Sequence, residues 1–292
     1  LVTGANSGLG HEAAKLLAQR GAAVIMAVRD RTKGEAATAQ VRAAAPGAQL
    51  HLLTLDLADL ASIGRFAEDI RDSHDRLDVL INNAGVMAIP RRLTADGFEM
   101  QFGTNHLGHF ALTGLLLPLL QRTPLARVVT MSSGVHVMGR INFADLQSQH
   151  GYSDWRAYAQ SKLANLLFAY ELQRKLAAVG AGAISLAAHP GYAATNLQLV
   201  GPAMYRSRGR QAMMRVANRI IAQSAAMGAL PAVYAAIAPS AQGGDYYGPG
   251  GPFGVRGFPR KVRSSPASHD QPVAARLWQV SEELTGVTYR FA

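Results

Sequence analysis

The chain has 292 residues, 49% of them apolar, enough for one large α/β domain or two small ones around a substantial core. It contains no cysteine, which excludes disulfides and thiolate metal sites. Its net charge of +10 admits nucleic acid, a membrane surface or an anionic cofactor. No nucleic-acid motif accompanies the basic clusters Arg206, Arg208, Arg210, Arg215, Arg219 and Arg256, Arg260, Lys261, Arg263, so no nucleic-acid partner is expected.

The chain opens at Leu1-Val2-Thr3 without an initiator Met, so a few earlier residues are expected to be missing and a removed leader stays open. No signal peptide is visible, and a cytoplasmic location is expected. After the first strand, short apolar runs read as strands at Val24 to Val28, Leu50 to Leu55, Val79 to Ile81, Arg127 to Met131 and Ala183 to Ala187. Continuous runs of this kind suit strands covered on both faces. Helical stretches alternate with them at His11 to Arg20, Thr32 to Ala44, Leu60 to Ser73, Phe98 to Leu120 and Ala157 to Ala178. The longest apolar run, near Phe110 to Leu120, is too short to span a bilayer and contains Pro118. Alternation of this kind predicts right-handed βαβ units in an open parallel sheet.

Beyond Gly191 the pattern changes. Residues 196 to 224 are basic, rich in Met and apolar residues, and read as a lid over an apolar cleft, with a basic outer face open to peripheral membrane contact. Gly228 to Ala238 reads as a helix, Tyr246-Tyr247 as a last strand and Pro272 to Leu284 as a closing helix. There is no internal repeat. The expectation is a single domain over 1–292, a Rossmann-type doubly wound parallel sheet with helices on both faces, and a C-terminal elaboration over 243–292.

Thr3-Gly4-Ala5-Asn6-Ser7-Gly8-Leu9-Gly10 links the first strand to the first helix. Glycines there permit a tight turn and close approach to a pyrophosphate, and the N–H groups opening the helix face the phosphates. No Lys-Ser/Thr pair follows, so the turn is not a Walker A loop. At the end of the second strand stand Val28-Arg29-Asp30. Val28 cannot bind a ribose 2′-hydroxyl, and Arg29 offers a fork suited to a 2′-phosphate. Asp30 argues the other way, and Arg29 as plain surface charge stays open. Asp56 and Asn82-Asn83-Ala84-Gly85 follow the third and fourth strands, at the carboxyl ends where open α/β sheets bind ligands.

Tyr158 and Lys162 are spaced i, i+4 on a helix and share a face. A nearby ammonium is expected to bring the phenol pKa down toward neutrality, fitting it for proton transfer to a carbonyl or from an alcohol. Ser132-Ser133, at the end of the strand before, supplies a hydroxyl to orient the reacting oxygen. His106 and His109, at i, i+3, lack a third ligand and are expected to pack and hydrogen-bond; no metal is expected.

Together with Asp56-Leu57, Tyr158-Ala159-Gln160-Ser161-Lys162 and His189-Pro190-Gly191, these segments resemble the short-chain dehydrogenase/reductase family over nearly the whole chain. The resemblance implies roles residue by residue. Ser133, Tyr158, Lys162 and Asn105 match the catalytic set, with Asn105 supporting a proton-relay water and Lys162 also on the nicotinamide ribose. Gly4, Asn6, Ser7, Gly8, Leu9, Gly10, Arg29, Asp56, Leu57, Asn83, Ala84, Gly85, Pro190 and Gly191 match the cofactor cleft, and Thr195 the contact to the nicotinamide carboxamide.

Val28 to Gly34, Asn105-His106-Leu107-Gly108-His109-Phe110, Ser161-Lys162-Leu163-Ala164-Asn165 and Leu277 to Leu284 are similar to the retinol dehydrogenase and WW-domain oxidoreductase branch. Between Ser133 and Tyr158 lies an insertion containing His136, Arg140 and Phe143, expected to wall the substrate cleft. The implied activity is NADP(H)-preferring oxidoreduction, NAD(H) remaining open, of a small hydrophobic alcohol, aldehyde or ketone, with a homo-oligomer open. Two other functions compete. A non-catalytic dinucleotide sensor would be free to lose the Ser, Tyr, Lys and Asn set that this chain keeps. A reductase like the protochlorophyllide enzymes would share Tyr and Lys, but that resemblance usually includes a cleft cysteine.

Overall fold

The computed structural model describes residues 1–193 and 222–291. The predicted nicotinamide contact Thr195 and nearly all of the predicted lid therefore lie outside the described residues. Strand and helix alternate as β1 (Val2–Thr3), α1 (Gly8–Ala18), β2 (Val24–Val28), α2 (Arg31–Ala44), β3 (Leu50–Thr54), α3 (Leu60–Ser73) and β4 (Val79–Asn82). Then come α4 (Met100–Phe102), a π-helical turn (Gly103–Leu107), α5 (Gly108–Arg122), β5 (Arg127–Met131), α6 (Asp154–Ala178) and β6 (Ile184–Ala188). The later part adds α7 (Ala225–Ile237), β7 (Tyr246–Pro249), β8 (Pro259–Lys261) and α8 (Gln271–Thr285).

The strands form one eight-stranded sheet in the order β3-β2-β1-β4-β5-β6-β7-β8. The chain starts at the centre and winds outward twice, so the crevice opens at the carboxyl ends between β1 and β4. Strand periodicity sends alternate residues to opposite faces. In β2, Ile25 and Ala27 join a core with Phe66 and Ile70 of α3, Leu116 of α5 and Phe168 of α6. Val24, Met26 and Val28 join the opposite core, with Leu17 of α1, Val41 of α2 and Val233 of α7. Helices thus cover both faces.

The structure adds detail to three expectations. β8 runs antiparallel to β7, so the sheet is mostly rather than wholly parallel; its Pro-Arg-Lys sequence carries no strand signal. β3 is an edge strand with His51 and Thr54 exposed, so its apolar run is not covered on both faces. The helical stretch after Phe98 is continuous from Met100 to Arg122 but widens into a π-turn that begins at Gly103 and ends just before Gly108. A side chain on Gly108 would collide with the Leu57 carbonyl, so this glycine lets the turn press against the loop after β3.

Candidate active site

A crevice of about 900 Å³ lies at the carboxyl edge, lined by Gly4, Asn6 to Leu9, Arg29, Asp56, Leu57 and Asn83 to Gly85 among others. Gly4 has φ +67°, a conformation in which an L side chain is strained. A Cβ on Gly10 would strike the Gly4 carbonyl and lie 2.5 Å from Asn83 Nδ2. Ser7, at the N-cap of α1, makes no side-chain capping bond. The first N–H groups of α1 are therefore free of a side-chain cap at the crevice, where the dipole favours an anion.

Arg29 lines the far end with Lys33 beside it. Asp30, which weighed against a phosphate there, is engaged elsewhere. Its carboxylate accepts the Lys33 N–H at 3.1 Å, capping α2, and pairs with Lys33 Nζ at 3.0 Å. Lys33 is the residue that sequence reasoning missed. An i, i+3 count from Asp30 would have found it.

Thr3 fastens the other wall. Its hydroxyl accepts the N–H groups of Asn83 and Ala84, each at 2.9 Å, and the Asn83 amide donates to the Thr3 carbonyl at 2.8 Å. Asp56 accepts the Ala58 N–H at 3.0 Å, closing a local turn at the crevice wall.

Beyond Gly85 stand the candidate catalytic residues. A Cβ on Gly85 would lie 2.8 Å from Asn105 Oδ1 and 3.6 Å from Lys162 Nζ, so the missing side chain leaves a cradle between crevice and lysine. A dinucleotide laid along the crevice from Arg29 past the α1 terminus would bring its nicotinamide end to that cradle, and the residues fit such a cofactor. Tyr158 and Lys162 are both buried on α6, with Nζ 5.8 Å from the phenol ring centre. Lys162 Nζ donates to the Met131 carbonyl at 3.2 Å. The Ser133 hydroxyl stands close enough to Tyr158 to favour its phenolate. Ser132 is turned away and donates to the Lys162 carbonyl at 2.8 Å, as a structural bond. Asn105 stands on the π-turn. Its amide donates to the Val86 carbonyl and to Ser161 Oγ, each at 2.9 Å, and its Oδ1 accepts the Val86 N–H at 2.8 Å.

The expected phenol acidity is corrected. Burial pushes the Tyr158 pKa up to about 12, and the Ser133 hydroxyl only partly opposes it. Burial also lowers Lys162 to about 8. Desolvation disfavours both charged forms. At neutral pH the phenol therefore keeps its proton.

The short chain dehydrogenase family profile matches residues 1–201. The chain belongs to the short-chain dehydrogenase/reductase family. Mouse retinol dehydrogenase 14 is 40% identical over 98% of this chain and 85% of its own length. The crystal structure of an uncharacterised Mycobacterium paratuberculosis protein is 47% identical, covering 99% of this chain and 93% of that one, with a TM-score of 0.80. The Pseudomonas aeruginosa RhlG/NADP active-site complex is 25% identical over 84% of this chain and 91% of that one, with a TM-score of 0.65. NADP binding thus occurs among the structural relatives of this oxidoreductase.

Elsewhere in this short-chain dehydrogenase, Pro190 and Gly191 follow β6, and the Pro190 carbonyl accepts the Gln223 amide at 2.6 Å. His106 packs among Phe102, Phe110 and Phe168 and bonds Ser281 Oγ at 2.9 Å. The insertion after Ser133 only partly walls the cleft. Phe143 packs instead against the cluster of Leu146, Leu163 and Leu277, beneath the Arg276 guanidinium, and Arg140 is exposed. His136 donates from Nδ1 to the Ser133 carbonyl at 2.7 Å and accepts the Ser265 N–H at Nε2, 3.1 Å away, so it bolts the serine to the C-terminal loop. Trp155, which sequence reasoning did not single out, packs edge-on to Tyr158 with ring centres 6.1 Å apart.

Proposed function

We propose that this enzyme interconverts a hydrophobic alcohol and its aldehyde or ketone using NADP(H), with Tyr158 as general acid/base. The observation that carries the reading is the meeting of Ser133, Tyr158 and Lys162 beside the Gly85 cradle, at the end of a crevice whose far end holds Arg29 and Lys33. When bound, the nicotinamide accepts or supplies the hydride.

Ser133 and Tyr158 hold the substrate oxygen between their hydroxyls. In reduction, the phenol gives its proton to the carbonyl oxygen as carbon becomes tetrahedral; in oxidation, the phenolate takes the alcohol proton. Lys162 holds the nicotinamide ribose and stabilises the phenolate, and Asn105 fixes the backbone at Val86 beside it. Gly4, Asn6 to Gly10 and Asp56 to Leu57 take the dinucleotide, Asn83 to Gly85 and Pro190-Gly191 its nicotinamide half. Arg29, with Lys33, takes the 2′-phosphate.

An apolar substrate is supported by Trp155 beside the phenol and by the exposed Val137 and Met138 directly after the serine. Retinol, in the name of the mouse relative, is an alcohol of this kind. A panel of aldehydes, ketones and alcohols of increasing chain length, followed by absorbance of the reduced nicotinamide, tests the reading. Turnover that rises with apolar length supports it; turnover confined to small polar carbonyls contradicts it.

A further inference from the structure

The β7–β8 hairpin ends in a tip that the reaction does not use. Its arms are pinned by Gly250 N–H to the Phe258 carbonyl at 2.8 Å and Gly251 N–H to the Arg256 carbonyl at 3.0 Å. At the tip, Phe253 has φ +54°, a region that disfavours a bulky L residue, and its side chain is 101% exposed; Phe258 is 76% exposed. Two rings so exposed, one of them on strained backbone, contribute little burial among the described residues.

The same hairpin is cationic. From Tyr246 to His269 the chain carries Arg256, Arg260, Lys261 and Arg263 and not one acidic residue. Lys261 pairs with Asp245, while Arg256, Arg260 and Arg263 stand exposed. The topology places this tip. β7 runs parallel to β6, so the hairpin projects from the carboxyl edge, where Ser133 follows β5 and Gly191 follows β6. It is fastened there. The Val255 carbonyl accepts the Tyr192 N–H at 2.8 Å, and Gly257 N–H donates to Gln223 Oε1 at 3.1 Å. Val137 and Met138, 63% and 67% exposed, follow Ser133 at the same edge.

We propose that this tip seats the protein on an anionic membrane surface. Phe253 and Phe258 enter the boundary between headgroups and acyl chains, while Arg256, Arg260 and Arg263 meet the lipid phosphates. The form of the surface favours lipid over a protein partner. The rings sit on a projecting loop, whereas a stable protein interface needs roughly 800 Å² of complementary surface on each side. Aromatic rings interleaved with arginine are the combination that a lipid headgroup region accommodates. Seated this way, the carboxyl edge faces the bilayer in which lipophilic alcohols partition. That consequence for substrate entry rests on the lipophilic-substrate reading; binding to lipid does not.

The test is co-sedimentation of the full chain with vesicles of phosphatidylcholine alone or mixed with phosphatidylglycerol, at low and high salt. Thermal midpoints serve as the fold control, so the result does not depend on any substrate. Wild type is expected to sediment with the mixed vesicles and to release as salt rises. Phe253→Ser with Phe258→Ser should lower the partition coefficient by about tenfold or more while keeping the wild-type midpoint. Arg256→Gln, Arg260→Gln and Arg263→Gln together should remove the preference for the anionic mixture. The proposal is overturned if wild type binds neither vesicle, if the double Phe variant partitions like wild type, or if the Phe changes act only by converting a lipid-free dimer to monomer in light scattering.

Discussion

His109 Nδ1 donates to the main-chain carbonyl of Asn105 across one turn, at 3.0 Å. A carbonyl cannot donate, so this nitrogen carries the ring proton and Nε2 is left as an acceptor. Nε2 lies 2.9 Å from the Thr3 hydroxyl, which in turn accepts the Asn83 and Ala84 N–H groups. One neutral imidazole thus ties the π-turn bearing Asn105 to the glycine-rich turn and the crevice wall. His109→Phe roughly keeps the volume but removes the imidazole's bonds to the Asn105 carbonyl and the Thr3 hydroxyl, which is left with the Asn83 and Ala84 N–H groups and a longer 3.3 Å bond to the Ile81 carbonyl. The expected cost is about 1–3 kcal/mol of stability in all. Denaturant unfolding should show a lower midpoint at unchanged slope, together with weaker cofactor binding. An unchanged midpoint would mean that the network carries no energy.

The buried histidines predict an acid limit. Burial lowers His106 to about 3 and His109 and His189 to about 4, against an ordinary 6.5. Between pH 6.5 and 4 the unfolded chain binds these protons and the folded chain does not, so stability falls as pH falls through that window. Above pH 6.5 the contribution is fully present. Midpoints measured from pH 8 to pH 4 should fall below about 6.5, and His109→Phe should flatten part of the fall.

The proposed preference for NADP(H) rests on two cations. A charge-assisted contact to phosphate is worth about 1.5–3 kcal/mol, one to two decades of affinity. Arg29→Ala with Lys33→Ala should weaken NADP(H) by at least that much and leave NAD(H) nearly unchanged, read by titration of intrinsic fluorescence. Asp30→Ala is the contrasting variant. It removes a helix cap, costing about 0.5–2 kcal/mol of stability, without reversing the preference. Parallel losses for both cofactors would place Arg29 and Lys33 outside the phosphate site.

Sheet and helices were legible because each rests on local chemistry. Apolar runs marked β2 and β5 to the residue, and the i, i+4 spacing of Tyr158 and Lys162 placed both on one face of α6, with Ser133 at the end of β5. The π-turn at Asn105 was not legible; it packs through Gly108 against the Leu57 carbonyl, a segment far away in sequence. The raised phenol pKa was hidden for a similar reason. Spacing places an ammonium near Tyr158, but burial of both groups, a tertiary fact, decides the sign. β8 escaped because a strand of Pro, Arg and Lys is specified by its neighbour β7, and the lid prediction fell on residues outside those described.

Tyr158 gives the pH dependence its sign. With a pKa near 12 the phenol keeps its proton across the neutral range, and carbonyl reduction should be nearly flat from pH 6 to pH 7, below the point near 8 where Lys162 loses its charge. Alcohol oxidation needs the phenolate and should rise with pH. Initial rates in both directions across that range check this. An oxidation rate that falls as pH rises would contradict it. Lys162→Ala should lower both turnover and cofactor affinity.

The most direct measurement is turnover and NADP(H) affinity of Tyr158→Phe on any substrate that the wild type accepts. The phenol transfers the proton but lines no part of the crevice for the adenosine end. The variant should lose about 10²–10⁴-fold in kcat while its cofactor Kd stays near the wild-type value. Wild-type turnover in Tyr158→Phe would contradict the account, because the proton would then have to come from another group.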